Sequence, residues 1–91
     1  EDIILADINQ TTLMIYSREG IYQTTETLTR FQQRISSSSF IQVSRHAVIN
    51  IDHLESLSDS FSGNMTAKLT NQIKTEVSRR YVKLLMEYLG I

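Results

Sequence analysis

The sequence predicts a mainly β fold with two short helices and mostly antiparallel sheets. Three observations carry that expectation. Apolar, β-branched or alternating runs recur along most of the chain, at 3–5, 11–17, 21–24, 40–43, 65–69 and 73–77. Most are joined by short turns, which favour antiparallel sheets over a βαβ arrangement. Only two stretches carry an apolar stripe of helical period, one near residue 30 and one at the end of the chain.

Taken in order, Ile3, Ile4 and Leu5 start a buried strand. Asp7, Ile8, Asn9 and Gln10 read as a turn that interrupts it. The run TTLMIYS at 11–17 is the second strand, and 21–24 the third after a tight turn at Arg18, Glu19 and Gly20, where Gly20 is free to take positive φ. Thr25 reads as a helix N-cap, with Glu26 at the positive end of the helix dipole. Leu28, Phe31 and Ile35 form that helix's apolar stripe, and the four serines at 36–39 form a loop that ends it.

Residues 40–43 are a strand, and 46–50 fit either a strand or a helical turn. Ile51, Leu54 and Leu57 are expected core contacts, and 58–64 is a loop by its Ser, Asp, Gly and Asn content. Met65, Ala67 and Leu69 alternate with polar residues, as do Ile73, Thr75 and Val77, so two half-buried strands flank a turn at Asn71 and Gln72. Ser78 is the N-cap candidate of the last helix. Val82, Leu85, Met86 and Leu89 form its buried face, and Gly90 stops it.

Length and composition bound the function. Ninety-one residues make one small domain, 1–91. Its first residue is Glu1, so a fragment of a longer protein is expected. The chain has no cysteine, which excludes disulfides and thiolate metal sites and fits a reducing cytoplasm. No apolar run reaches membrane-spanning length. The formal net charge of −1 argues against nucleic acid, but its distribution does not. From Phe61 onward Lys68, Lys74, Arg79, Arg80 and Lys83 face only Glu76 and Glu87.

Catalytic patterns are weak. Ser44 and His46 stand two apart and would share one face of a strand, but no orienting acid or nucleophile-elbow glycine pattern accompanies them. His46 and His53 are the only histidines and lack metal-ligand spacing; His53 is expected to be a surface or partly buried residue that packs its ring. Isolated glycines exclude a phosphate-cradling loop, and Phe40, Phe61 and the tyrosines are expected in the core or at its edge. No cofactor and no enzymatic activity are expected.

The arginines are more informative. Arg45 follows Ser44, and Arg79 and Arg80 follow Ser78, each at the end of an apolar strand-like run. A strand-end loop would project them. Arg79 and Arg80 also fall in the first turn of a helix, where cations oppose the dipole. An anionic partner would remove that conflict, because phosphate is stabilised by free N–H groups and guanidinium alike.

The segments FIQVSRHAVINID at 40–52 and VSRRYV at 77–82 together resemble the LytTR DNA-binding domain, the output module of many bacterial response regulators. The family pairs a Phe-led segment ending in Val-Asn with a later Val-Ser-Arg and a final helix. Here Phe40, Val48 and Asn50 fit the first, and Val77, Ser78 and Arg79 the second. Leu28, Phe31 and Ile35 fit the family's helix, and the opening strand, loop and Thr-rich strand fit its start. Ser44 stands where histidine is usual, His46 where serine or threonine is usual, Ala47 for an aromatic, and Ile8 in the first loop.

The resemblance implies an elongated stack of small β-sheets that binds promoter DNA through loops entering successive major grooves. Its contact residues would be Asn9, Gln10, Ser44, Arg45, His46, Ser78, Arg79, Arg80 and Lys83. Arginine would read guanine or phosphate, and Asn9 or Gln10 an adenine edge. The expected protein is a cytoplasmic transcription regulator of a two-component system. It would bind double-stranded DNA as a dimer on repeated sites and make no membrane contact through this domain. An N-terminal receiver domain, a membrane segment or little else would precede it. The competing expectation is a β-rich protein-interaction module that pairs through an exposed edge strand.

Overall fold

The computed structural model describes residues 2–35 and 38–91. It contains a five-stranded and a three-stranded sheet, both antiparallel. The five-stranded sheet comprises β1 (Ile3–Asn9), β2 (Thr12–Ser17), β3 (Gly20–Thr24), β4 (Phe40–Ser44) and β5 (Ala47–Asn50), in the order β3-β2-β1-β5-β4. The smaller sheet is a meander of β6 (Leu54–Asp59), β7 (Met65–Leu69) and β8 (Ile73–Val77). Helix α1 is Leu28–Arg34 and α2 is Arg79–Leu89. The principal extents are 32 × 23 × 23 Å, so the molecule is longer along one axis, as the resemblance implies.

The core has two parts because β5 is covered on both faces. Ala47 and Ile49 join Val43, Leu69, Val77 and Leu85 in the larger part, between the sheets and α2. Val48 points the other way, onto Ala6, Leu13, Leu28 and Phe31 beneath α1. The period of two along β5 therefore divides its side chains between two cores. That resolves 46–50: the strand runs over Ala47–Asn50, and His46 lies in the turn before it. Asn50 is fully buried and satisfied, its Nδ2 donating to the Ile3 carbonyl at 2.8 Å and its Oδ1 accepting from the Asp52 N–H at 3.0 Å.

Several expectations need correction. Asp7, Ile8 and Asn9 do not form a turn; they extend β1, paired with Met14, Leu13 and Thr12 of β2. Ladder hydrogen bonding to β2 outweighs the local turn preference of Asp and Asn. The chain reverses at Gln10 and Thr11, with Gln10 at φ 61°. The cap of α1 is Thr27, not Thr25: the Thr27 Oγ1 accepts from the Arg30 N–H at 3.1 Å. Glu26 instead takes two hydrogen bonds from Arg34, at 2.8 and 2.9 Å. The 58–64 loop starts later than expected, because β6 runs to Asp59. His53 is buried, with Nδ1 3.0 Å from the Thr70 Oγ1. Phe61 is neither core nor edge; it is 86% exposed. The expected serine loop falls partly on Ser36 and Ser37, outside the described residues.

The last helix follows its pattern except at Met86, which is half-buried but outside the core cluster, where Tyr81 packs instead. Leu85 is fully buried, and Val82 and Leu89 pack half-buried against the same cluster. Gly90 ends α2 at φ 78°, a left-handed cap that glycine adopts without a Cβ penalty. Ser78 occupies the N-cap position, but its side chain makes no cap hydrogen bond.

Candidate nucleic-acid interface

One hydrogen bond organises the candidate surface. The Ser78 N–H donates to the Val43 carbonyl at 2.8 Å, joining the end of β8 to the end of β4. The two Ser-Arg steps, thirty-odd positions apart in sequence, are thereby brought together although they end strands of different sheets. Ser44, Arg45 and His46 line a shallow cleft with Ser78, Asn64 and Glu76.

The β4–β5 turn carries Arg45 and His46, both exposed, between the paired residues Ser44 and Ala47. Ser44 is buried beneath them. Its Oγ accepts from the His46 N–H at 3.3 Å, a serine turn that holds the reversal without glycine. The Gln42 Nε2 donates to the Ser44 carbonyl at 2.8 Å. Ser44 and His46 thus do not share a strand face. The His46 ring turns to Asp7 instead, with Nδ1 and Oδ1 2.8 Å apart. The serine hydroxyl meets the histidine's backbone while the ring pairs with the acid, which is not a nucleophile–base arrangement.

The β1–β2 turn adjoins this one. The Ile8 N–H donates to the His46 carbonyl at 2.8 Å, and Asp7 pairs with Ala47 across the sheet. Asn9 and Gln10, both exposed, follow immediately. On the other side of the cleft, Arg79 and Arg80 open α2 with no acid in its first turn. Lys83 lies four positions from Arg79 and three from Arg80, so the three share one exposed arc. At about 3.6 residues per turn that arc lies opposite Leu85.

Sequence reasoning misses three residues of this region. It places Asp7 in a turn, yet Asp7 holds the His46 ring. It places Asn64 in a loop, yet the Asn64 Oδ1 accepts from the Arg79 N–H at 2.8 Å and its Nδ2 donates to the Glu76 Oε2 at 3.0 Å. Asn64 takes the capping role expected of Ser78. Gly63 makes room beside it: at φ 85°, a Cβ there would stand 2.9 Å from the Arg79 Cδ. The glycine-asparagine pair marks a turn, but no local signal points to a partner fifteen residues away.

Fold and surface define a β-rich module that presents arginines from strand ends and a helix start, with no enzyme-like constellation among the described residues. The family profile of the LytTr DNA-binding domain matches residues 1–90. The chain belongs to that family, one of DNA-binding regulator domains rather than enzymes.

Among its relatives are the sensory transduction protein LytR of Staphylococcus epidermidis, 32% identical over 90 residues, and LytT of Enterococcus faecalis, 32% identical over 91. The matches cover 99% and 100% of this chain but only 36% and 38% of those proteins. A solved LytTr DNA-binding domain, from a putative methyl-accepting/DNA response regulator of Bacillus cereus, superposes with a TM-score of 0.89. That match covers 99% of this chain and 83% of the other at 17% identity, and establishes the shared fold.

Proposed function

We propose that this domain binds promoter DNA sequence-specifically in bacterial transcription regulation. Arg45, Arg79 and Arg80 are the principal contacts, reading guanine edges or phosphates from the major groove. Asn9, Gln10, Ser44, His46, Ser78 and Lys83 complete the surface. The observation that carries this reading is the Ser78–Val43 hydrogen bond, which sets Arg45 and the start of α2 beside one cleft. Family membership supplies the class of partner.

Ser44 is buried and Ser78 half-buried, so they act mainly by shaping the turns that present the arginines. The domain would work in the cytoplasm, as a dimer on repeated sites, with a receiver domain in the remainder of a regulator as long as its relatives. Among the described residues no helix is long and apolar enough to cross a membrane.

The test is selection of bound sequences from a random duplex pool, followed by titration at several salt concentrations. Log affinity should fall linearly with log salt, with a slope matching a few phosphate contacts, as the net charge of −1 suggests. A flat plot, or no enriched sequence, removes the reading.

A second reading has its own observation. Strand β3 is an edge of the larger sheet and exposes Ile21 and Tyr22, the features of a strand-pairing interface. Concentration-dependent self-association without DNA, abolished by Tyr22→Lys, would favour it.

A further inference from the structure

We propose that the β6–β7 turn at 60–64 is an additional DNA-contacting element, and that the Phe61 ring is its contact. The inference rests on the DNA-binding reading above and extends it to a loop outside the expected contact set. Its ligand chemistry is the hydrocarbon of the duplex: deoxyribose and the 5-methyl groups of thymine.

Two independent observations carry it. First, Phe61 is 86% exposed, the most exposed large apolar side chain among the described residues. Second, the turn that bears it is pinned to the start of α2. The Ser60 N–H donates to the Asn64 carbonyl at 3.0 Å, and the Asn64 N–H to the Phe61 carbonyl at 3.0 Å. Asn64 then accepts from the Arg79 N–H, and Gly63 lies against the Arg79 side chain.

Ser62 adds to the case. It holds φ 58° and ψ 35°, a left-handed conformation uncommon outside glycine, so the turn spends backbone energy to keep its shape. The turn so fixed carries the Phe61 ring on the solvent side, 86% exposed. Phe61 stands two residues from the glycine that touches Arg79 and three from the asparagine that caps it. Arginine supplies charge and hydrogen bonds to a duplex; an adjoining aromatic supplies the apolar contact that base edges and sugars accept. A turn backbone fixed in advance lowers the ordering cost of that contact.

The experiment uses the whole domain and a duplex selected from the random pool. Phe61→Ala should weaken binding about five- to thirty-fold, with the slope against log salt unchanged, because no charge is lost. Its urea midpoint should stay at the wild-type value, since the side chain is exposed. The chain has no tryptophan, so Phe61→Trp provides a single reporter, whose emission should shift or quench on adding duplex.

Arg79→Ala is measured alongside. Wild-type affinity in Phe61→Ala, with indole emission of Phe61→Trp unresponsive to duplex, while Arg79→Ala binds weakly, overturns this inference and leaves the DNA-binding reading standing. Wild-type affinity in both alanine variants overturns the inference together with the surface it rests on.

Discussion

Replacing Leu85 with alanine separates what α2 does for the fold from what it presents to a partner. Leu85 is fully buried in the cluster that includes Val43, Ala67, Leu69 and Val77, drawn from both sheets. Truncation removes three carbons, about 2.4 kcal/mol at roughly 0.8 kcal/mol per buried CH2. The cavity adds to this, because Val43, Ala67, Leu69 and Val77 sit on paired strands that resist moving in to fill it. A loss of about 3–4 kcal/mol follows, inside the roughly 2–5 kcal/mol span of buried leucine truncations.

A domain of 91 residues has a total stability of roughly 5–14 kcal/mol, so the variant should remain folded but marginal. Urea unfolding followed by circular dichroism gives the loss as a fall in midpoint at constant slope. Affinity for duplex, measured where the variant is fully folded, should equal wild type, because Arg79, Arg80 and Lys83 occupy the opposite arc. A stability loss below about 1 kcal/mol would refute the packing argument, whose scale is that of buried truncations. Weakened binding by fully folded protein would refute the division of the helix into two faces.

Three further outcomes are expected. Arg45→Ala, Arg79→Ala and Arg80→Ala should each cost about 1–3 kcal/mol of DNA binding by fluorescence anisotropy, without unfolding; base-contacting arginines should also relax preference at one base pair. Gln10→Gly should act with opposite signs. Relief of the φ 61° backbone leaves stability unchanged or higher by up to about 1 kcal/mol, while loss of the side chain weakens DNA binding. Glu26 governs an acid-side effect: hydrogen bonds from Arg34 hold its carboxyl below the ordinary value. With the folded pKa below the unfolded one, the pair's contribution is present above about pH 4.3, the usual value, and is lost as pH falls through the folded pKa. Melting temperature against pH should therefore fall less steeply below about pH 4 in Glu26→Gln than in wild type.

The parts of the fold legible in the sequence are those whose partners are near or whose pattern is periodic. Strands β7 and β8 follow from strict alternation, and α2 from its apolar stripe. The failures share one cause, a distant partner that overrides local preference. Asp7 and Asn9 favour turns locally, but two flanking strands claim the segment around them. Thr25 is the exception, a local miss: the cap is Thr27, whose Oγ1 reaches the Arg30 N–H three positions on. At the candidate interface, the exposed arginines were legible from the Ser-Arg steps. The side chains that hold the region in shape, Asp7 and Asn64, were not, because His46 lies 39 positions from Asp7 and Arg79 lies 15 from Asn64.

The hydrogen bond between Ser78 and Val43 crosses from one sheet to the other, with core residues from both packed behind it. The separation between Arg45 and Arg79 is therefore a property of the interior, while the side chains at those points are free to vary on the surface. On the proposed DNA-binding reading, a lineage of such domains can exchange the letters it reads one at a time and keep the same ruler between them. Altering the ruler itself would require repacking the core.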